Sequence, residues 1–350
     1  MGRVPVFLPI FDPKLIEMIT KGMFSVLIGV GSVFMARGQS VSGLTGKADT
    51  SFTTFSAYVS SKRSHPEIRI VKEQQDPLVA EKRGISYCRI GQRDLYIDAF
   101  YPAERKKLNP AIVIIHGGGW RSGNSAQHIP LAQRLASKGF SCFTVEYRLS
   151  TEALYPAAVV DLKAAIRWVR ANSGRFNVDS TRIVALGFSA GGELASFLGA
   201  TNAEFRFDTS SCNSGYSSKV QAVVDIDGIL AFTHPESGEG DDSKSPSAAT
   251  YWLGDPRNAN PQLWKDASPL THVDRNAPPF LFINSSVARM HAGRDDFKKI
   301  LAQNGIYSET HEYENAPHAF CLFEPWFTPT VEYIARFINR VFSLADGTPH

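Results

Sequence analysis

A chain of 350 residues with 43% hydrophobic and 20% charged residues has the length and composition of a folded protein with one large core. Its net charge of +3, with no basic stripe interleaved with aromatics, excludes nucleic-acid recognition through a basic patch. The four cysteines, Cys88, Cys142, Cys212 and Cys321, lie too far apart for a disulfide-dense scaffold or a cysteine metal centre, and their pairing is not readable from spacing.

The N-terminus reads as a targeting segment. Met23 to Met35 is apolar and uncharged, Lys21 precedes it, and Ala36-Arg37-Gly38 offers a small-x-small cleavage pattern before Gln39. The run is shorter than the about 20 residues of a membrane-spanning helix. Residues 1–38 are therefore expected to be a cleaved signal peptide, giving an exported protein with no stable membrane span; Met18 is an alternative start. Residues 39–67, rich in Ser and Thr and without helix or strand period, are expected to be a flexible segment ahead of a domain over 68–345.

Within that domain the first signal is a hairpin. Gly84 to Ile90 and Leu95 to Tyr101 alternate apolar and polar residues around Gly91-Gln92. Ala111 to Ile115 is continuously apolar, as a parallel strand covered on both faces must be, and runs into His116-Gly117-Gly118-Gly119-Trp120. Three glycines there let backbone amides approach a ligand closely. A helix over Ala126 to Lys138, a strand over Phe140 to Tyr147 and a long helix through Ala157 and Val169 follow. Strand and helix alternate steadily, which predicts an α/β architecture: a mostly parallel central sheet with helices on both faces.

The next stretch organises the chain. Ile183 to Leu186 is an apolar strand that enters Gly187-Phe188-Ser189-Ala190-Gly191, and Glu193 to Leu198 continues as a helix. A strand, a sharp turn and a helix with Gly-x-Ser-x-Gly at the turn is the setting of a nucleophilic serine, whose oxyanion can use the next amide, Ala190. Val220 to Gly228 is a further buried strand. Ile229 to Arg275 has weak periodicity and is expected to be a long, cap-like excursion shaping access to the site. Its acidic cluster from Glu236 to Asp242 lacks the Asp-x-Asp-x-Asp-Gly pattern of a calcium loop, so no metal is expected there. Pro279 to Ile283 and Tyr307 to Tyr313 are predicted strands, with helices over Asp295 to Gln303 and Thr330 to Phe342.

A serine nucleophile needs a base, an orienting acid and an oxyanion hole. His318, just after the last predicted strand, stands where the order Ser…acid…His places the base. The residues from Ile114 to Trp120, Tyr147-Arg148-Leu149, Tyr155 to Trp168, the serine turn, Ala267-Ser268-Pro269 and the His318 loop resemble α/β-hydrolases of the hormone-sensitive-lipase-like group. They are most similar to bacterial acetyl-xylan and feruloyl-type carbohydrate esterases, and the tail from Phe282 resembles α/β-hydrolases of pectin-degrading systems. The resemblance implies an ester hydrolase without cofactor, acting on carbohydrate or other small esters, with an oxyanion hole from the backbone of Gly117 and Gly118 together with Ala190.

One departure stands out. Such chains carry the triad acid in a Gly-x-x-Asp turn after the strand ending at Ile283, and this one reads Asn284-Ser285-Ser286-Val287-Ala288-Arg289-Met290-His291. Asp227, at the end of the preceding strand, is the first candidate for the acid; Asp225, Asp295 and Asp296 are the alternatives. Arg289, His291 and Arg294 surround the vacant position, where a guanidinium could pair with a carboxylate on the substrate or with a neighbouring acid. Trp120, Trp252 and Trp326 could stack on sugar rings or pack in the core. Besides an exported esterase of plant-polysaccharide esters, the pattern admits a small-molecule carboxylesterase or lipase, and a binding protein that kept the fold and lost its acid.

Overall fold

Strands buried at every residue need cover on both faces, and three such strands lie inside an eight-stranded sheet. The computed structural model of the protein describes residue 2 and residues 43–345. The strands are β1 (Arg69–Ile70), β2 (Val79–Ile90), β3 (Arg93–Pro102), β4 (Asn109–Ile115), β5 (Ser141–Val145), β6 (Val178–Phe188), β7 (Ala222–Ile226), β8 (Phe280–Asn284), β9 (Ser308–Glu312) and β10 (Phe323–Glu324). The large sheet has the order β2-β3-β5-β4-β6-β7-β8-β9; β2, β3 and β5 pair antiparallel, and β5 through β9 are parallel. The predicted hairpin and the alternation of strand and helix are as expected.

Helices α1 (Thr54–Lys62), α2 (Ile129–Ser137), α3 (Ala157–Ala171), α4 (Ala190–Ala200), α5 (Ala248–Leu253), α6 (Pro261–Asp266), α7 (Arg294–Gln303) and α8 (Phe327–Ala345) complete the described residues. Leu162, Ile166 and Val169 of α3, Leu194 and Phe197 of α4, and Phe297 of α7 share one apolar layer with Val113 and Ala185. Leu131 and Leu135 of α2 and Ile334 and Ile338 of α8 share the other with Ile112, Val184 and Leu281. The alternating side chains of β4, β6 and β8 thus feed both layers.

The expectation for residues 39–67 is corrected where the structure describes them. Residues 43–53 run against the sheet's C-terminal edge: Gly43 N–H donates to Tyr251 O at 3.1 Å, Gly46 N–H to Thr151 O at 2.9 Å, and Asp49 forms an ion pair with Arg121 at 2.7 Å. Helix α1 follows, capped at Thr53 by reciprocal bonds with Ser56. The folded unit therefore begins well before Ile68, and its described part runs over residues 43–345. The expected signal peptide and its cleavage point lie outside the described residues. So does the apolar run Met23 to Met35; among the described residues no helix is long and apolar enough to cross a membrane.

The excursion from Ile229 to Arg275 packs into the main core. Phe232, Trp252 and Trp264 are fully buried, and α5 and α6 lie within it. Its acidic residues serve the backbone: Asp242 accepts from Ser247 N–H at 2.7 Å and Glu239 from Ala249 N–H at 3.0 Å. A disulfide joins Cys88 of β2 to Cys212, while Cys142 and Cys321 are free and buried.

Candidate active site

The site gathers where parallel strands end. Ser189 follows β6, and its backbone is held at φ 58°, ψ −122°, a left-handed conformation costly for a residue with a side chain. The turn closes only because its flanks are bare: a Cβ on Gly187 would sit 1.9 Å from Gly191 O. Ser189 N–H donates to Ile226 O at 2.8 Å, tying the turn to β7.

His318 and Asp227 meet that serine. Ser189 Oγ lies 2.8 Å from His318 Nε2, and His318 Nδ1 lies 3.0 Å from Asp227 Oδ2. A carboxylate facing Nδ1 makes that nitrogen the N–H donor, which leaves Nε2 to accept from the serine hydroxyl. Asp227 is fully buried, and its other oxygen accepts from Ser285 N–H at 2.8 Å and Asn284 Nδ2–H at 3.4 Å. Asn284 is itself held by Arg294, whose Nη1–H donates to Asn284 Oδ1 at 2.8 Å. The loop after β8, which has no acid, thus fixes the acid at the end of β7. Phe188 packs on the His318 ring with centroids 4.9 Å apart, which helps to hold the imidazole in place.

The other carboxylates are spoken for. Asp225 accepts from Gly228 N–H at 2.7 Å and Ser196 Oγ–H at 3.1 Å; burial raises its pKa to about 8. It braces the turn that presents Asp227. Asp295 pairs with Arg294, and Asp296 with Lys299 on the exposed face of α7.

The glycine loop needs a shift of one residue. Gly117 N–H donates to Gln127 Oε1 at 2.9 Å and is unavailable to a substrate, which corrects its expected place in the oxyanion hole. Gly118, Gly119 and Ala190 line one pocket of about 180 Å³ with Ser189 and His318, and among the described residues their amides have no acceptor. Gly118 and Gly119 sit at φ 128° and 60°, and a Cβ on Gly118 would clash with Ser122 O at 2.2 Å. The remaining lining is Phe52, Trp120, Ile229, Glu239, Ala248, Arg289 and Met290.

Several expected substrate contacts are placed otherwise. Trp120 is buried, stacked on Trp252 at 4.9 Å, and its indole N–H donates to Glu193 Oε2 at 2.8 Å, so it is a pocket wall and not a sugar platform. Glu193 is wholly buried in the first turn of α4; burial, with Asp225 nearby, pushes its pKa well above the usual carboxyl range. Trp326 packs edge-on against His65, away from the pocket lining. Arg294 is buried among Asn284, Asp295 and Glu312 and is closed to substrate. His291, half-buried and outside the pocket lining, is held toward its neutral form by burial and Arg294. Arg289 alone of this group reaches the pocket, and it is exposed. Phe52 and Glu193 are not evident from sequence, although Glu193, which follows the Gly191-Gly192 pair, is the one charge in its helix and a legible signal.

The sheet order, the strained serine turn and the Ser-His-Asp alignment define an α/β-hydrolase. The chain belongs to the BD-FAE family, whose model matches residues 97–289. It is similar to Esterase LipC of Mycobacterium tuberculosis, 31% identical over 67% of this chain and 59% of LipC, and to the probable carboxylic ester hydrolase LipM of the same organism, 32% identical over 57% of this chain and 47% of LipM. The chain thus spans about half the length of these curated relatives. Among solved structures, the butyrate-bound esterase Est2 of Thermogutta terrifontis covers 76% of this chain and 95% of its own at 26% identity and TM-score 0.61. A truncated carbohydrate esterase from gut microbiota shares the fold, with TM-score 0.61 at 24% identity over 77% of this chain and 98% of its own.

Proposed function

We propose that the protein is an exported serine esterase that removes short acyl groups from carbohydrate esters. The observation that carries this reading is the unbroken line from Asp227 through His318 to Ser189, opening into the pocket. Ser189 Oγ attacks the ester carbonyl as His318 Nε2 takes its proton, and Asp227 stabilises the imidazolium that forms. The amides of Gly118, Gly119 and Ala190 receive the oxyanion. His318 then returns the proton to the leaving alkoxide, which departs as the alcohol. Water, deprotonated by the same imidazole, releases the acid from the acyl-enzyme and restores Ser189.

The binding-protein alternative rested on a missing acid, and Asp227 at 3.0 Å from the imidazole removes that ground. The confined pocket between Trp120, Ile229, Ala248 and Met290 supports a small acyl group such as acetyl. A disulfide between Cys88 and Cys212 supports an oxidising compartment and hence export. The second reading, a small-molecule carboxylesterase, is supported by similarity to carboxylesterase NlhH of Mycobacterium tuberculosis, 32% identical over 43% of this chain. Rates on acetylated xylan, methylated pectin, feruloylated oligosaccharides and simple alkyl acetates separate the two. A carbohydrate esterase shows its highest kcat/KM on a sugar ester, and a preference for alkyl acetates would overturn that part of the reading.

A further inference from the structure

The loop after β8 has been released from supplying the acid, and it does something else. Beyond Ser285, whose N–H holds Asp227, the chain makes one 3-10 turn over Ala288–His291 that sets Arg289 at the mouth of the pocket containing Ser189 and His318. Its stem lies along the excursion: a methyl group at Gly238 would stand 3.5 Å from Arg289 Cδ. Among the described residues no carboxylate lies within ion-pair distance of this guanidinium, in contrast to Arg294, which pairs with Asp295 and Glu312. The other charged residue on the lining, Glu239, is already engaged through Oε2 by the Ala249 amide, and Arg257 donates to its backbone carbonyl at 3.3 Å. Arg289 is exposed whereas Trp120, stacked on Trp252, is a buried part of the same lining, so a group that reaches Arg289 extends toward solvent, as the alcohol part of a bound ester does.

We propose that Arg289 recognises a carboxylate on the alcohol side of the ester, so that the substrate class is acylated sugar acids in preference to acylated neutral sugars. This rests on the esterase reading and names its substrate. A planar guanidinium meets a carboxylate through two parallel N–H···O bonds, which an ammonium cannot reproduce. The test compares monoacetylated methyl glucuronide with monoacetylated methyl glucoside, and p-nitrophenyl acetate as a simple ester. The native protein favours the glucuronide by roughly tenfold or more in kcat/KM at low salt, the scale of a charge-assisted hydrogen bond, and the ratio shrinks as salt is added. In Arg289→Gln the ratio falls to about one, in Arg289→Lys it is intermediate, and in Arg289→Glu it inverts. Equal rates on the two sugars in the native protein, or a preference that survives Arg289→Gln, overturn the proposal and leave the esterase reading standing if p-nitrophenyl acetate is cleaved. Failure to cleave any of the three esters overturns both.

Discussion

Replacing Asp227 by Asn isolates the role of the acid. In the native site Oδ1 accepts from Ser285 N–H and Oδ2 accepts from His318 Nδ1–H. An asparagine satisfies Ser285 only by turning its carbonyl oxygen toward that amide, which points its NH₂ at Nδ1. Imidazole must then accept at Nδ1 and carry its proton on Nε2, where it faces Ser189 as a donor and no longer as a base. The wrong tautomer costs about 10⁴ in kcat, or about 5 kcal/mol of transition-state stabilisation. KM changes little, because Asp227 is buried behind the histidine and touches no substrate. Steady-state kinetics with p-nitrophenyl acetate, beside circular dichroism to show an intact fold, is the assay. Asp295→Asn, on the exposed start of α7, serves as the control and stays within a factor of about two. A folded Asp227→Asn protein keeping a tenth or more of native kcat would refute the assignment.

Three further substitutions have definite expected outcomes. Glu193→Leu removes the acceptor of the Trp120 indole and loosens a residue held at φ 56° directly after the glycine loop. Its kcat should fall by about ten- to hundredfold with KM little changed, while Glu193→Gln, which keeps an acceptor, retains most activity; equal losses in the two would point elsewhere. His128 is buried, both its ring nitrogens lack a partner among the described residues, and burial lowers its pKa from 6.5 to about 3. The unfolded chain therefore binds a proton that the native state refuses, so stability falls by up to about 1.4 kcal/mol per pH unit as pH drops below 6.5 toward 3. In urea titrations at pH 7.5 and 5 His128→Leu should lose less stability than the native chain; identical losses would exclude this source. Replacing Cys88 and Cys212 together by Ala opens a loop spanning a separation of 124 residues and should cost about 2–4 kcal/mol of stability with kcat unchanged. An unchanged urea midpoint would show that the cross-link contributes nothing.

Much of this architecture was legible because its physics is local. Ala111 to Ile115 and Ile183 to Leu186 are apolar at consecutive positions, which only a doubly covered strand tolerates, and Gly187 is demanded by Gly191, four residues on, although Gly191 itself is demanded by the distant backbone of Ile115. Asp227 could be placed at a strand end, but its preference over Asp225 depends on a left-handed backbone at φ 51° and on Ser285, both products of the fold. The place of Gly117 could not be read locally because Gln127, ten positions away, claims its amide. Helix α1 escaped notice because it buries only Ala57 and shows no apolar stripe. The two-residue strands β1 and β10 are too short to carry a period, and the Cys88–Cys212 pair leaves no trace in spacing.

The central claim is that Ser189 becomes acylated. Mixing the protein with p-nitrophenyl acetate, quenching in acid within the first turnover and mapping peptides by mass spectrometry tests it directly. One acetyl group on the peptide containing Ser189, appearing with a burst of p-nitrophenol and absent from Ser189→Ala, is the predicted result. An acetyl group on another residue, or a burst that persists in Ser189→Ala, would contradict the account.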